Sequence, residues 1–423
     1  MMFWVGIDDT DSLEGMCTTY LAVKLISALK SAGMEVLNEP RLIRLNPNIP
    51  YKTRGNGAVA FLVDGDIDSA LDIVDKYILR YAEIESKNTN PGVAIVENKK
   101  ENIKMINLFS RRVIKDVVSI EDALKVARKL KNSELLMYKN GRGIIGALAA
   151  IGVELYDYTY ELLTYRMVRN FGKDREIDEK SFFLADIETY PETWDTVDWM
   201  NKTVIAVPNS RNNPVLYGIR GESKRALNKA KSIVKTEKYD CEKIFITNQG
   251  TDMHLIDEDS ITELLDYRSY IIRGRVVEKP HYIRGGHVFF SIETKFGKVK
   301  CAAFEPTKQF RKIVLELREG DVVEVYGGYK RKCVNLEKIN IVKLADVFVE
   351  RNPICPKCGR RMESAGKGQG YRCRKCKTYE LGKIKVRVER KIDTGYYEVP
   401  PCARRHISKP LIRAKVKKKH VFR

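Results

Sequence analysis

Apolar and polar residues near the start of the chain follow two patterns that predict a strand and then a helix. The first seven residues, MMFWVGI, form an apolar run of strand length. Further on, Leu21, Leu25 and Leu29 recur at the spacing of one helical face, and Gly33 marks the end of the helix. The segment GIDDTDSLEGMCTTYLA that joins the two elements is therefore predicted to contain a strand-to-helix turn.

A different pattern fills residues 270–345, where five short apolar strands are separated by polar turns. A helical segment, FRKIVLEL, lies between the third and fourth strands. This element order predicts an OB-fold barrel, whose open face commonly binds single-stranded or looped nucleic acid. The pattern does not say which face each side chain occupies, but five residues are candidates for the open face: Arg273, Arg275, Tyr282, Phe290 and Tyr329.

Length and composition indicate a soluble protein of several domains. The 423 residues leave room for about three or four domains. The hydrophobic content is 43%, yet no apolar run reaches the length of a membrane span. The first residues also lack the basic-then-apolar layout of a signal peptide. We therefore expect a cytoplasmic protein without a membrane partner.

The net charge of +20 is concentrated at the C-terminal end. Residues 351–423 hold 23 Lys and Arg against 5 Asp and Glu, which leaves a net charge of only +2 for the preceding 350 residues. Such a module favours a polyanion partner, with nucleic acid the first candidate, acidic lipid the second, and a disordered solubilising tail the alternative. Aromatic residues among the charges offer stacking faces and favour nucleic acid: Tyr371, Tyr379, Tyr396, Tyr397 and Phe422.

Four of the nine cysteines form the most specific local motif in the chain. Cys355, Cys358, Cys373 and Cys376 make two CxxC pairs at the spacing of a zinc ribbon. Four thiolates fill the coordination shell of Zn²⁺, so we expect this zinc to be structural. The other five cysteines are interpreted as small core residues rather than ligands.

The strand-to-helix turn at residues 6–22 brings three carboxylates close to two threonines. Asp8, Asp9 and Asp11 repel one another unless a cation lies among them, and oxygen ligands of this kind suit Mg²⁺. The amides at the start of the helix, beside Thr18 and Thr19, favour a bound phosphate. Together they predict a magnesium-nucleotide site. The alternative is that the turn is only structural and that one threonine caps the helix.

Two further segments offer groups for a triphosphate. Residues 46–61 run through Lys52, Thr53, Arg54, Gly55 and Asn56 into a strand, and residues 88–96 form a similar entry. Cations and free amides in such loops hold phosphates, although ordinary strand-entry turns have the same composition.

The segment GRGIIG matches the glycine pattern of a dinucleotide site by letter only. A short strand precedes it, and the side chain of Arg142 would crowd a pyrophosphate turn. We interpret Gly141, Arg142 and Gly143 instead as the opening of the helix IIGALAAIG beside a ligand.

Taken together, the motifs resemble one known family. GIDDTDSLEGMCTTYLA, NPNIPYKTRGNGA, GRGIIGALAAIG, PVLYGIRG and TNQGTDMHL occur in this order before an OB-fold and a zinc ribbon. The combination closely resembles the archaeal synthetases that make 2-agmatinylcytidine at the wobble position of a minor isoleucine tRNA. The resemblance implies a multidomain α+β fold: a kinase-like α/β domain (1–130), a ferredoxin-like domain (131–266), the OB-fold (267–346), and a zinc ribbon with a basic tRNA-binding tail (347–423).

The resemblance also implies an ATP-dependent ligase reaction. ATP with Mg²⁺ phosphorylates the C2 oxygen of the wobble cytidine in the tRNA with the CAU anticodon, and agmatine replaces the phosphate, so that AUA is read. Asp8, Asp9 and Asp11 would hold Mg²⁺ and orient the phosphates, and Thr18 matches the threonine that the family phosphorylates on itself. A pyrimidine carbonyl has no leaving group, so activation by phosphate is chemically required.

Agmatine is a dication whose guanidinium requires a carboxylate fork. Two segments of the sequence offer candidates, and the residues leave the choice open: Asp186 and Glu188 in ADIETY, and Asn248, Gln249, Asp252 and His254 in NQGTDMHL.

Two other classes of protein remain possible. A small-molecule kinase or nucleotidyltransferase explains the acidic turn but gives the OB-fold and ribbon no purpose. A non-catalytic nucleic-acid binding protein explains the C-terminal half only. The sequence does not indicate the oligomeric state.

Overall fold

The computed structural model describes residues 1–52 and 55–423, and a single nine-stranded sheet extends through the first 250 of them. The nine strands are β1 (Met2–Asp8), β2 (Glu35–Arg44), β3 (Gly57–Asp64), β4 (Gly92–Glu97), β5 (Ser133–Met137), β6 (Thr159–Arg166), β7 (Thr193–Trp194), β10 (Val215–Gly221) and β11 (Tyr239–Thr247). The short strands β8 (Val197–Asp198) and β9 (Thr203–Val204) pair separately. Seven helices accompany the sheet: α1 (Thr18–Ser31), α2 (Ile67–Tyr81), α3 (Lys100–Lys115), α4 (Ile120–Ala127), α5 (Ile144–Gly152), α6 (Glu179–Thr189) and α7 (Lys224–Ile233).

The strand order is β5-β4-β1-β3-β2-β11-β6-β10-β7. Neighbouring strands are antiparallel except β2 and β11, which run parallel where the two halves of the sheet meet. Each half has the element order strand, helix, strand, strand, helix, strand, and the spatial order fourth-first-third-second. Two units of equal topology therefore lie side by side, with β5 added at one edge.

The predicted strand and helix at the N-terminus are confirmed as β1 and α1. Phe3, Val5 and Ile7 pack with Leu21 and other residues of α1 and α2 on one face of the sheet. Side chains alternate along the strand, so Trp4 packs on the other face, in the cluster that contains residues of α3 and α5. The strand is apolar throughout because helices cover both faces.

Helix α5 lies unusually close to β1. A Cβ added to Gly6 would lie 2.2 Å from the Ala147 carbonyl oxygen, and one added to Gly146 would lie 1.9 Å from a carboxylate oxygen of Asp8. Only glycine permits such an approach at these two positions. The end of β1 is therefore held directly against α5, which fixes the position of Asp8.

The next region is a closed barrel with the predicted OB order. A short strand, β12 (Leu255–Asp257), precedes five barrel strands: β13 (Ser269–Ile283), β14 (His287–Thr294), β15 (Gly297–Ala303), β16 (Val322–Lys330) and β17 (Cys333–Lys343). Helix α8 (Phe310–Leu315) lies between the third and fourth of these, as predicted. Strand β13 pairs with both β14 and β16, and β17 pairs with β15 and β16, which closes the barrel.

The prediction of which residues form the open face of the barrel is only partly correct. Arg273, Arg275 and Tyr282 are exposed. Phe290 and Tyr329 belong to the barrel core, because their positions on β14 and β16 point inward. The alternation along a strand was visible in the sequence, but which set of positions faced inward was not.

A ribbon follows the barrel, and the chain then returns to the body of the protein. Its strands are β18 (Val347–Arg351), β19 (Glu363–Ser364), β20 (Tyr371–Arg372), β21 (Tyr379–Glu380), β22 (Ile384–Val388), β23 (Gly395–Glu398) and β24 (Lys419–His420). Strands β18 and β22 form the stem, and β19 to β21 form the ribbon sheet. Strand β23 pairs with β17 of the barrel, and β24 pairs with β23.

The last 29 residues are therefore a folded part of the body and not a continuous basic tail, which corrects the prediction for them. Tyr397, proposed as a stacking face, is 5% exposed and stacks on His420 at 4.1 Å. Phe422 packs against the barrel core. None of the helices in the described part of the chain has the length and apolar character that a membrane span requires.

Candidate active site and zinc site

A cavity of about 910 Å³ lies where the two halves of the large sheet meet the returning C-terminal segment. The first half contributes the acidic turn, the start of α1, residues within 49–52 and 55–57, and the connection between α3 and α4. The second half contributes β6, β10 and residues 205–209, and the C-terminal segment contributes residues 401–406. Eight of the residues predicted for catalysis or nucleotide binding line the cavity: Asp8, Asp9, Asp11, Thr18, Lys52, Gly55, Asn56 and Arg142.

The pKa of Asp8, at the start of the acidic turn, is strongly shifted. Burial, together with the negative charges of Asp9 and Asp11, raises the pKa of Asp8 to about 8. Its carboxylate lies against Gly146 of α5. A carboxylate held in this way, with two acidic neighbours, favours a cation in the adjacent cavity.

Asp9 is paired with Arg142. The guanidinium donates from Nη2 at 2.7 Å and from Nε at 3.1 Å to one carboxylate oxygen of Asp9. Burial raises the pKa of Asp9 even though Arg142 opposes this shift. Asp9 also has a backbone φ of 56°, which turns the chain sharply after β1. Arg142 is therefore bound to the acidic turn and lines the cavity beside it.

The oxygens of the acidic turn suit Mg²⁺, but the three carboxylates do not converge on one point. Within residues 1–52 and 55–423, the four ribbon cysteines are the one compact group of three or more His, Cys, Asp or Glu ligands. Mg²⁺ is usually bound by one or two carboxylates together with substrate phosphates. Asp8 and Asp9 fit that arrangement, in which a nucleotide supplies the remaining oxygens.

Neither threonine at the start of α1 caps the helix, which rules out that part of the structural alternative. The N-cap residue is Cys17, and its side chain makes no capping hydrogen bond. Thr10 donates its hydroxyl hydrogen to Thr18 Oγ1 at 3.0 Å, whereas the Thr19 hydroxyl lies 3.1 Å from Cys17 Sγ. The first amides of α1, beside the cavity, therefore receive no capping hydrogen bond from the side chain of the N-cap residue.

Only part of the predicted basic loop, residues 46–61, lies among the described residues. Lys52 lines the cavity, and its Nζ donates to the Pro47 carbonyl oxygen. Burial lowers the pKa of Lys52. Asn56 donates to the Asn46 carbonyl oxygen at 2.7 Å. Thr53 and Arg54 lie outside the described residues.

Gly141 and Gly143 act through the backbone. Gly141 has a φ of 69°, and a Cβ on Gly143 would lie 2.3 Å from the amide nitrogen of Gly92. They do not line the cavity themselves, but they bring α5 and Arg142 to it. The strand before them, β5, pairs antiparallel with β4, which agrees with the rejection of a dinucleotide fold.

The cavity also contains a cationic centre that sequence reasoning missed. Arg44 and Arg220 pair with the Glu161 carboxylate at 3.7 and 3.3 Å. Gln249 Nε2 donates to the same carboxylate, and Gln249 Oε1 lies 3.1 Å from His406 Nδ1. These five residues come from five separate segments, so no local motif contains them. Two of the five were part of motifs that the sequence singled out, Arg220 in PVLYGIRG and Gln249 in TNQGTDMHL, but no chemical role was assigned to Arg220.

The six residues predicted to bind agmatine do not line the cavity, and they lie in several places. Asp186 is bonded to Trp199 and Arg423, and Glu188 pairs with Lys229 near the surface. Asn248 bonds to the backbone of Arg44 in both directions. The remaining carboxylate and imidazole are paired with barrel residues: Asp252 with Lys338, and His254 with Glu337 at 3.1 Å. Gln249, behind Glu161 and His406, is the member closest to the cavity lining.

The four cysteines of the predicted zinc site lie close together in the folded chain. The sulfur atoms of Cys355, Cys358, Cys373 and Cys376 all lie within 4.8 Å of one another. Cys355, Met362 and Cys373 are buried together at the centre of the ribbon. Four converging thiols with so small a core fit a structural Zn²⁺.

Comparisons with known families match the chain in four regions. Residues 4–67 match the TiaS TCKD domain, and residues 141–254 match the TiaS FLD domain. Residues 270–336 match an OB-fold nucleic acid binding domain, and residues 352–392 match the TiaS C-terminal zinc ribbon domain.

Whole chains of known function are also similar. The tRNA 2-agmatinylcytidine synthetase TiaS of Archaeoglobus fulgidus is 56% identical over 424 residues, with 100% of both chains covered. A solved structure of TiaS in complex with an isoleucine tRNA and ATP has a TM-score of 0.93 and 56% identity, again over 100% of both chains. One of TiaS in complex with the same tRNA, AMPCPP and agmatine has a TM-score of 0.91 and 52% identity with the same coverage.

Proposed function

Because the chain belongs to the TiaS family of tRNA 2-agmatinylcytidine synthetases, we propose that it joins agmatine to the wobble cytidine of the minor isoleucine tRNA with ATP as the activating nucleotide. The enzyme is an ATP-dependent ligase of tRNA modification, with an OB-fold and a zinc ribbon. The observation that carries this conclusion is the similarity to such synthetases over the complete chain. The cavity, with an acidic turn at one side and a cationic centre at the other, fits the same chemistry.

The reaction has two chemical steps. The C2 carbonyl of cytidine lacks a leaving group, so its oxygen first takes a phosphate from ATP. The primary amine of agmatine then attacks C2, and phosphate leaves. Both steps act on the same C2–O group of the base, first on its oxygen and then on its carbon, so the nucleotide and the amine must reach one cavity from different sides.

The nucleotide side of the cavity is the acidic turn. Asp8 and Asp9 would hold Mg²⁺, and Asp11 lines the cavity beside them. Mg²⁺ would neutralise the charge of the phosphates when bound. Lys52 and the uncapped start of α1 supply positive charge and free amides for the same phosphates. Arg54 stays a predicted member of this set.

Thr18 is the proposed site of self-phosphorylation. It is the first residue of α1, next to the acidic turn, and it lines the cavity. Because its oxygen accepts the hydrogen of Thr10, its own hydroxyl hydrogen is available to another acceptor.

The topology supports a ferredoxin-like second domain. Its strands follow the order β11-β6-β10-β7 with α6 and α7 between them, which is the ferredoxin-like arrangement. The first domain has the same arrangement, so its kinase-like character rests on the nucleotide site and not on a different topology. Since β5 and α5 pack on the first half of the sheet, we place the boundary between the two domains after residue 152 and not at residue 130.

Turnover assays test the proposal. ATP consumption and agmatine incorporation are measured with the minor isoleucine tRNA and agmatine present together, and with each one omitted. The proposal requires both substrates for full turnover. A small-molecule kinase would consume ATP without tRNA, and a non-catalytic binding protein would consume none.

The variant Asp8→Ala tests the nucleotide site within the same assay. It should abolish ATP turnover and leave the affinity for tRNA nearly unchanged, because we assign tRNA binding to the ribbon and barrel, whereas Asp8 lies on β1. The exposed residue Asp68 of α2 provides a matched control as Asp68→Ala, which should retain turnover. Normal ATP consumption by Asp8→Ala would refute the assignment.

A further inference from the structure

We propose that His406 is the general base of the second step, with Nε2 taking the proton that the agmatine amine loses as it attacks C2. Gln249 and Glu161 are the positioning residues that hold the imidazole. The inference rests on the proposed function, because it assumes an amine nucleophile.

A chain of hydrogen bonds fixes the tautomer of His406. The Glu161 carboxylate only accepts hydrogen bonds, so the contact from Gln249 to it must come from the amide nitrogen of Gln249. The amide oxygen of Gln249 therefore faces His406 Nδ1, at 3.1 Å. That oxygen cannot donate, so Nδ1 carries the hydrogen. In the neutral imidazole the lone pair then lies on Nε2.

The lone pair of Nε2 is accessible from the cavity. His406 lines the cavity, and its neighbour across the gap is Gly55. A Cβ on Gly55 would lie 3.6 Å from Nε2 and 2.8 Å from Nη1 of Arg44, so the missing side chain leaves this approach open. Within the described part of the chain, Nε2 has no hydrogen-bond partner of its own. The one nitrogen with a free lone pair is thus the one that a substrate can reach.

The surrounding charges keep His406 in its neutral form. Burial, together with the positive charges of Arg220, Arg44 and Lys52, keeps the pKa of His406 well below its usual value. The negative charge of Glu161 is shared by the two arginines. The adjacent Arg405 is turned away toward Glu337 and Asn48. The imidazole is therefore uncharged at neutral pH and can accept a proton.

The same cations favour the reacting forms of the agmatine amine and of the leaving phosphate. They disfavour the ammonium form of a bound amine, so the neutral amine is the form that approaches C2. They also attract the phosphate that must leave. Arg44 Nε is buried without a hydrogen-bond partner among the described residues.

The step balances in atoms and charge. The lone pair of the amine nitrogen forms the N–C2 bond, and the proton that this nitrogen sheds goes to His406 Nε2. The C2–O bond to the activated oxygen breaks, and its electron pair leaves with the phosphate toward Arg44 and Arg220. The proton passes from Nε2 to solvent before the next turnover.

Single-turnover kinetics with His406→Gln test the proposal. With saturating ATP, minor isoleucine tRNA and agmatine, product formation should fall by about 10²- to 10⁴-fold, the usual contribution of a general base. Consumption of ATP in the first step should persist, so phosphorylated tRNA should accumulate. The log of the remaining rate should rise more steeply with pH than in the wild type, because hydroxide replaces the base. His281→Ala, on an exposed histidine of β13, is the matched control and should behave as wild type.

Two further measurements separate catalysis from folding. Added imidazole should restore part of the rate in His406→Ala, whose cavity has room for it, and the tRNA affinity of both variants should equal that of the wild type. Gln249→Met removes the amide from behind the ring, so it should lower kcat and alter the pH profile with little change in the KM for tRNA. Imidazole should not rescue it.

The outcomes distinguish the two proposals. If His406→Gln forms product within a few-fold of the wild-type rate at every pH, the assignment of His406 is wrong while the function stands. If the wild type itself forms no agmatine adduct, the proposed function is wrong.

Discussion

The guanidinium of Arg404 forms an ion pair with the Asp195 carboxylate in which both side chains are only 3% exposed. Arg404 also pairs with Glu398 at 3.0 Å. Asp195 belongs to the second half of the large sheet, and Glu398 to the strand that joins the barrel. One side chain of the C-terminal segment therefore ties the barrel, the sheet and the cavity lining together.

The first prediction concerns this ion pair. Arg404→Ala removes the ion-pair partner of buried Glu398 and leaves buried Asp195 with only Arg220 at 3.8 Å, so we expect a loss of about 3–5 kcal/mol in the free energy of unfolding. Equilibrium urea denaturation measures the loss. Arg225→Ala is the matched control, because Arg225 is 84% exposed in its pair with Glu192 and should cost about 0–1 kcal/mol. Equal losses in the two variants would contradict the structural role of Arg404.

The second prediction concerns the pH dependence of stability through Glu337. Burial opposes its ionisation, but Arg405 and His254 outweigh burial and hold the pKa of Glu337 below its usual value of 4.5. The folded state thus binds this proton less readily than the unfolded state. The stabilisation is complete above the unfolded pKa and is lost as the pH falls from about 4.5 toward the lower folded pKa.

Urea midpoints between pH 3 and pH 7 test this prediction. Glu337→Gln should be less stable than the wild type at pH 7, and the difference should shrink as the pH falls below about 4.5. Glu319→Gln, at an exposed position, should follow the wild type throughout. A constant difference between Glu337→Gln and the wild type would show that the ionisation of Glu337 contributes nothing.

The third prediction concerns Thr18. Incubation with ATP and mass spectrometry should find phosphate on Thr18 and none in Thr18→Ala. Thr19 is the internal control, because its hydroxyl is turned toward Cys17 Sγ at 3.1 Å. Phosphate on Thr19 alone would mean that the start of α1 is oriented differently when ATP is bound.

Local patterns allowed part of this structure to be predicted. β1 and α1, the barrel order and the four cysteines are each defined by residues close together in the sequence, where period and spacing are informative. The equal topology of the two halves of the sheet was not predicted, because topology repeats here without a repeat in the sequence.

The C-terminal segment shows why the rest could not be predicted. Lys409 and Arg413 have the composition of a solvated basic tail, but Asp157 and Glu222 neutralise them from more than 190 positions away. His406 is a single histidine without a motif. Its chemical environment comes from Arg44, Gln249 and other residues that meet only in the folded chain.

The last prediction separates tRNA binding from catalysis by deletion of the zinc ribbon. The fold determines which residues this deletion can remove. Removal of residues 351–423 would remove Arg404 and His406 as well as the ribbon, so it would damage the cavity. Arg351 of β18 pairs with Ile384 of β22. A short glycine-containing turn can therefore replace residues 352–383 and leave the stem and the C-terminal segment in place.

This internal deletion should weaken tRNA binding by orders of magnitude and leave ATP binding intact. The deleted residues carry nine Lys and Arg against two Glu, and each phosphate contact that they make adds about one unit to the slope of log affinity against log salt. Binding titrations at several salt concentrations measure both quantities. The longer truncation, tested in parallel, should lose ATP binding too. If the internal deletion keeps the affinity and salt slope of the full chain, the ribbon does not hold the tRNA, and the exposed Arg273, Arg275 and Tyr282 of the barrel become the surface to mutate next.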